Sequence, residues 1–193
     1  MKTAIIIHGM PSREEYFDLA RSAPSNCHWL PWIQKQLLLK GILAQTPEMP
    51  EPYAPNYEKW KEVFEQFKVD EQTILVGHSC GGGFLVRWLS ENNIKVGKVV
   101  LVAPWINSEK DPELEIDKDF FEFNIDENLT SKTAGFKIMY SADDDKYILD
   151  TVKILNEKIK NVELQEFKDK GHFVMGSMKT EVFPELLKNL LTN

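Results

Sequence analysis

The sequence predicts an α/β fold: a doubly wound, mostly parallel sheet of about six strands flanked by helices, formed by a single domain over residues 1–193 without a large cap. Strand-like apolar runs alternate with helix-like segments along the chain, and residues 96–103 are apolar almost throughout, as strands covered on both faces are. In addition, Gly77-His78-Ser79-Cys80-Gly81 follows the apolar run at 73–76. Gly-x-Ser-x-Gly between a strand and a helix is typical of a nucleophile elbow.

Each element has its own signal. Helical spacing of large apolar residues predicts a first helix at 29–39, which Gly41 ends, and Asn56 is a suitable cap for a second helix. Strands are expected at residues 3–8, 42–45, 73–76, 96–103, 136–141 and 162–167. Helices are expected at 29–39, 57–67, from the elbow to about residue 91, at 149–159 and at 183–191. In such a sheet, the loops at the carboxyl ends of the strands form the site.

Composition excludes several classes of protein. The net charge of −7 makes nucleic acid and anionic membranes poor partners. The apolar run at the amino terminus is too short for the core of a signal peptide and is expected to be a strand. Two cysteines, Cys27 and Cys80, make no disulfide framework, and no Cys/His cluster has zinc spacing. We therefore expect a cytoplasmic protein without a metal.

Three loops at the carboxyl edge carry candidate chemistry. Ser79 is the expected nucleophile, and His172, after Gly171 in the last loop, is the histidine best placed to act as its general base. The backbone N–H groups of Met10, after His8-Gly9, and of Cys80 are expected to form an oxyanion hole. His28 precedes a helix and is expected at the surface.

The acid that orients the histidine should lie between serine and histidine in the chain. Asp143, Asp144 and Asp145 follow the penultimate expected strand and are three candidates. One of them would hold the imidazole tautomer, and the other two would lie in an acidic turn that caps a helix. The residues alone do not choose among the three.

Taken together, the motifs resemble a known family. The early His-Gly, the segment His28-Trp29-Leu30-Pro31-Trp32, the stretch Met49-Pro50-Glu51-Pro52 followed by Trp60, the elbow, the aspartate loop and Gly171-His172-Phe173 are similar to the retinoblastoma-binding protein 9-like serine hydrolases. These are lidless members of the α/β-hydrolase superfamily. The resemblance implies Asp145 as the third member of the triad. Lys146 and Leu149 replace two prolines of the family's pattern, which leaves Asp144 as the alternative.

The function that follows is hydrolysis of small acyl esters through an acyl-enzyme, with Ser79, His172 and Asp145 as the triad and no cofactor. Trp105 and Phe173 are the expected substrate-binding residues, and an apolar lining suits short acyl esters. The partner is then a small acyl substrate. The alternative is a catalytically weak protein of this fold that binds another protein; against it, serine, aspartate and histidine are all present in the expected order.

Overall fold

The computed structural model describes residues 1–106 and 118–192, and in it six strands form one parallel sheet. The strands are β1 (Thr3–Ile7), β2 (Leu43–Gln45), β3 (Thr73–His78), β4 (Lys98–Val102), β5 (Phe136–Ser141) and β6 (Glu163–Phe167). Their order across the sheet is β2-β1-β3-β4-β5-β6, and every neighbouring pair is parallel.

Helices connect the strands on both faces of the sheet. They are α1 (Arg13–Phe17), α2 (Leu30–Leu39), α3 (Tyr57–Phe64), α4 (Cys80–Glu91), α5 (Lys146–Lys158), α6 (Met175–Met178) and α7 (Pro184–Leu191). Short 3-10 turns lie at Pro24–Asn26, Lys118–Phe120 and Leu129–Lys132. None of the helices in the described ranges combines the length and the apolar character needed to cross a membrane.

The order of the strands places a crevice between the carboxyl ends of β1 and β3. The chain leaves β1 toward β2 on one side and leaves β3 toward β4 on the other, so the connections diverge there. Ile7 pairs with Gly77 in the register of the two strands, so residues 8–10 and 78–80 emerge side by side. Such a switch point is where sheets of this type hold their ligands.

The core lies on both faces of the central strands. Every residue of β3 is buried, as are four of the five residues in each of β1 and β4, which explains their continuous apolar runs. On one face, the rings of Trp60 and Phe64 pack against Phe84 of the elbow helix, with centroids 5.8 and 5.4 Å apart. This packing fixes α4, and with it the residue that precedes it, against the sheet.

All six expected strands and five expected helices are present, with shifted ends. Helix α5 begins at Lys146, three residues before its expected start, and α3 ends at Phe64 rather than at residue 67. Helices α1 and α6 were not expected from the sequence. They have only five and four residues, too few to show an apolar period.

Candidate active site

Ser79 stands at a sharp turn between β3 and α4, with φ 52° and ψ −121°. A non-glycine residue at positive φ is strained, as the elbow motif predicts, and that prediction is confirmed. Two glycines make the turn possible. A Cβ atom on Gly77 would lie 2.6 Å from the Gly81 carbonyl oxygen, and one on Gly81 would lie 2.5 Å from the carbonyl oxygens of Ile7 and His8.

Backbone hydrogen bonds hold this strained residue on both sides. The Ser79 N–H donates to the Val102 carbonyl at 2.9 Å. The Ser79 carbonyl accepts from the N–H groups of Gly82 at 2.9 Å, Gly83 at 3.2 Å and Trp105 at 3.0 Å. The main chain of Ser79 is therefore tied to α4 and to the end of β4, and only the side chain is left to face the crevice.

His172 lies in the loop after β6 and is paired with a carboxylate. Its Nδ1 lies 3.0 Å from Oδ2 and 3.2 Å from Oδ1 of Asp144. The Asp144 side chain is only 1% exposed, whereas that of His172 is 25% exposed. A carboxylate shielded from water on one ring nitrogen fixes the tautomer and leaves Nε2 as the nitrogen that can exchange a proton.

Asp145, which the resemblance implied for this position, does not pair with His172; the alternative, Asp144, does. Asp145 is exposed at the residue that precedes α5, where its Oδ2 accepts a hydrogen bond from the Tyr147 hydroxyl at 3.1 Å. Its N–H donates to Oδ1 of Asp144 at 2.7 Å. Because α5 starts at Lys146, the chain turns into the helix at Asp145 and directs the preceding aspartate toward His172.

Asp143 has a third and different role. Its Oδ1 accepts from the Ser141 hydroxyl at 2.5 Å and from the Gly171 N–H at 3.0 Å. The bonds from Ser141 and from the backbone at Gly171 keep the pKa of Asp143 below its usual range. Asp143 therefore joins the loop that follows β5 to the loop that carries His172, and it holds the two ends of the Asp144–His172 pair together.

The loop after β1 is held by His8. The Met49 N–H donates to Nε2 of His8 at 2.9 Å, so the ring proton is on Nδ1, which donates to the Gly9 carbonyl at 2.7 Å. Burial lowers the pKa of His8, which keeps the ring neutral in this role. The Gly9 carbonyl points toward the His8 ring. Because the Gly9–Met10 peptide bond is trans, the Met10 N–H points in the opposite direction, away from that ring.

Cys80 supplies the other expected donor. It is the first residue of α4, and the N–H groups in the first turn of a helix have no partner within the helix. The Cys80 side chain is fully buried, and burial raises the pKa of its thiol well above the usual range. Any contribution of Cys80 to the site is thus through its backbone.

Ser79 and His172 line one cavity of about 520 Å³. One wall comes from the segment between β1 and α2: its apolar part includes Met10, and its polar part includes Arg21, Ser22 and His28. Val174, Met175 and Gly176 form the side next to His172. Within residues 1–106 and 118–192, no group of three or more His, Cys, Asp and Glu side chains is arranged to hold a metal ion.

The two residues expected to bind substrate are not among the residues that line this cavity. Phe173 is fully buried and stacks on Phe183 with centroids 5.5 Å apart. The Trp105 ring is buried against Phe121 and Tyr147, and the backbone N–H of Trp105 donates to the Ser79 carbonyl. Both side chains belong to the hydrophobic core, where removal of apolar surface from water stabilises the fold.

His28 is one of the lining residues that the sequence did not indicate. It was expected at the surface, but it is partly buried in the cavity wall. Its Nδ1 accepts a hydrogen bond from the Met175 N–H at 3.1 Å, a contact across 147 residues of sequence. No local pattern signals such a contact.

Several known proteins are similar to this chain in sequence. A family model described as serine hydrolase matches residues 20–190. A putative hydrolase of Bacillus subtilis, YdeN, is 29% identical over 178 residues, which is 90% of this chain and 86% of the relative. Serine hydrolase RBBP9 of Rattus norvegicus is 25% identical over 169 residues, 85% of this chain and 87% of the relative.

Solved structures share the fold. The crystal structure of the ydeN gene product from B. subtilis superimposes with a TM-score of 0.82 at 26% identity, covering 98% of this chain and 97% of that chain. Est1E from Butyrivibrio proteoclasticus has a TM-score of 0.62 at 15% identity, covering 98% and 86%. The sheet and its neighbours define a minimal α/β-hydrolase fold. The chain belongs to the serine hydrolase family.

Proposed function

We propose that this protein hydrolyses small carboxylic esters through a Ser79–His172–Asp144 triad. The observation that carries the proposal is the pairing of His172 Nδ1 with a shielded Asp144 carboxylate, on a histidine that lines the same cavity as the strained Ser79. A serine hydroxyl is a weak nucleophile until a base takes its proton, and a histidine oriented by a carboxylate is such a base.

The steps follow from these positions. His172 Nε2 takes the proton as Ser79 Oγ attacks the ester carbonyl carbon. The negative oxygen of the tetrahedral intermediate is stabilised by the backbone N–H groups of Met10 and Cys80. His172 then gives the proton to the departing alcohol, leaving an acyl group on Ser79. Water, activated by the same histidine, releases the acid and restores the serine. No step uses a cofactor.

The experiment combines labelling with turnover. A fluorophosphonate probe should react covalently with the wild-type protein and not with Ser79→Ala, and wild type should hydrolyse p-nitrophenyl esters of short acyl chains. Ser90→Ala, which alters a serine of the same helix whose hydroxyl is bonded to the Val86 carbonyl, is the matched control and should still react. Equal labelling of Ser79→Ala would refute the proposed nucleophile.

The other candidate, a protein-binding module with little catalysis, makes the opposite prediction. If the protein were such a module, it would hydrolyse none of a panel of esters with increasing acyl length, and wild type and Ser79→Ala would show the same rate. We also propose a cytoplasmic location and a small acyl substrate as the partner. The rates across the panel of acyl chain lengths would give the first measure of the preferred substrate.

A further inference from the structure

His28 has an unusual backbone and a defined ring orientation. It lies immediately before Trp29 and α2, and its φ of 57° is positive. Residues other than glycine, asparagine, aspartate and histidine seldom adopt such a left-handed backbone conformation. The Met175 N–H donates to its Nδ1 at 3.1 Å. A strained residue whose ring is also fixed by a distant backbone group is held in one position by the fold.

The hydrogen bond also determines which ring nitrogen carries the proton. Nδ1 accepts, so in the neutral ring the proton is on Nε2. Burial lowers the pKa of His28, and the nearby His172 acts in the same direction, so the neutral form is the one favoured near pH 7. His28 lines the cavity, and its neutral ring has a single N–H donor, at Nε2.

The position of His28 relative to His172 indicates which part of a substrate it would meet. The two histidines border the same cavity, and Met175, which anchors His28, is only three residues after His172. The His28 ring lies 6.2 Å from that of His78, which is itself 5.1 Å from His172. In the mechanism above, the departing alcohol takes its proton from His172, so the alcohol lies on this side of the cavity.

Four further polar side chains of the cavity are on the same wall as His28. Glu15, Tyr16, Arg21 and Ser22 come from the same β1-to-α2 segment as His28. Arg21 is bonded to Glu15 at 2.6 Å, so the two charged side chains of this wall offset each other. A wall of neutral donors and balanced charge suits hydroxyl groups better than a net charge on the ligand.

We propose that the Nε2–H of His28 binds an oxygen of the alcohol portion of the substrate, and that the protein therefore prefers esters of polyhydroxylated alcohols to esters of apolar alcohols. This inference rests on the proposed esterase function and goes beyond it by naming the leaving-group class. A site built to hydrogen-bond a hydroxyl disfavours the analogue that lacks it, because its own donor is then left without a partner.

A matched pair of esters tests the proposal. Glyceryl monobutyrate and propyl butyrate have the same acyl group and a three-carbon alcohol, and they differ in two hydroxyls. Wild type should show kcat/KM about tenfold higher for the glyceryl ester. Both esters give the same butyryl-enzyme, so its hydrolysis rate, measured after rapid mixing, should not depend on which ester was used.

Two substitutions separate the two ring nitrogens. His28→Asn places an amide oxygen near the position of Nδ1, preserves the bond from Met175 and suits the left-handed backbone, but it removes Nε2. His28→Gln places an amide nitrogen near Nε2 and gives up the Nδ1 contact. The preference for the glyceryl ester should fall to about twofold or less in His28→Asn and be largely retained in His28→Gln. Asn26→Ala, an exposed residue outside the cavity lining, is the control and should match wild type.

The outcomes are distinct. A His28→Asn protein that keeps the tenfold preference would refute the proposal, as would an equal loss on both esters in His28→Asn and His28→Gln, which would indicate a structural role. Fluorophosphonate labelling of each variant checks that the site is folded. If wild type hydrolysed neither ester and Ser79 were not labelled, the esterase function itself would fail, independently of His28.

Discussion

His78 donates a hydrogen bond from Nε2 to the backbone carbonyl oxygen of His172, at 2.8 Å. The residue just before the nucleophile thus holds the main chain of the residue proposed as its base. The His78 ring is buried beside Trp29, with centroids 5.7 Å apart, and burial together with the neighbouring His172 keeps the pKa of His78 well below its usual range. Because a carbonyl can only accept, the proton of the neutral His78 ring is on Nε2.

The first prediction concerns this bond. His78→Phe removes the donor and leaves the His172 carbonyl without its partner, so stability should fall by about 1–3 kcal/mol. Because the loop of His172 is then less well held, kcat on a p-nitrophenyl ester should fall at least tenfold. Urea unfolding and steady-state kinetics measure the two effects.

Replacement by glutamine is the matched control for that substitution. The amide nitrogen of His78→Gln can take the place of Nε2 and should recover most of the rate. A His78→Phe protein with unchanged kcat would show that the position of His172 does not depend on this contact.

The second prediction separates the three aspartates. Asp144→Asn keeps the shape of the side chain but removes the charge that orients His172, and kcat should fall by about four orders of magnitude. Asp145→Asn alters an exposed residue bonded to Tyr147, and it should retain most of its activity. Asp143→Asn weakens a link between two loops. Its main effect should be a lower free energy of unfolding, and most of kcat should be retained.

Each of the three asparagine variants is assayed at saturating substrate, with unfolding measured in parallel. Activity lost in Asp145→Asn and kept in Asp144→Asn would contradict the pairing of His172 described above.

The aspartates also show where sequence reasoning stops. Ser79 and His172 could be located from local motifs, because an elbow and a Gly-His loop have recognisable residues. Three consecutive aspartates have the same chemistry, and which one reaches His172 depends on the start of α5, at Lys146 rather than at Leu149. Helix ends are decided by tertiary contacts that a periodic pattern does not contain.

Burial and long-range contact explain the other differences. Phe173 and Trp105 were expected near the substrate, but an apolar residue next to a site and one in the core look the same in a sequence. His28 was missed because its place in the cavity comes from Met175, far away in the chain. Strands β1, β3 and β4 were predictable because strands buried on both faces have continuous apolar runs in the sequence.

The third prediction tests the close approach at the elbow. In Gly81→Ala, the new Cβ would lie 2.5 Å from the carbonyl oxygens of Ile7, the last residue of β1, and of His8, so the start of the following loop or α4 must shift. We expect a loss of about 3 kcal/mol in stability and a large loss of activity, since the same loop carries the Met10 N–H.

Gly135→Ala is the control for that substitution. Its Cβ would meet only the Lys98 side chain, at 3.4 Å, and its backbone is not left-handed. Stability measured by urea unfolding should change by less than about 1 kcal/mol. Similar losses in Gly81→Ala and Gly135→Ala would argue against the steric explanation of the elbow.

The last prediction concerns pH and the two buried histidines. Burial lowers the pKa of both His8 and His78 in the folded protein, whereas in the unfolded chain each pKa is near 6.5. As pH falls below about 6.5, the unfolded chain binds protons that the folded chain does not, so the free energy of unfolding decreases, by up to about 1.4 kcal/mol per pH unit for each histidine. Carboxylates such as Asp143, whose pKa is lowered from 3.8, add a further loss only at more acidic pH.

Urea unfolding between pH 7.5 and 5.5 at constant ionic strength should show this decrease in the free energy of unfolding. His78→Phe, which lacks one of the two groups, should show a shallower slope below pH 6.5. A slope identical to that of wild type would mean that His78 is protonated in the folded protein, which its burial opposes.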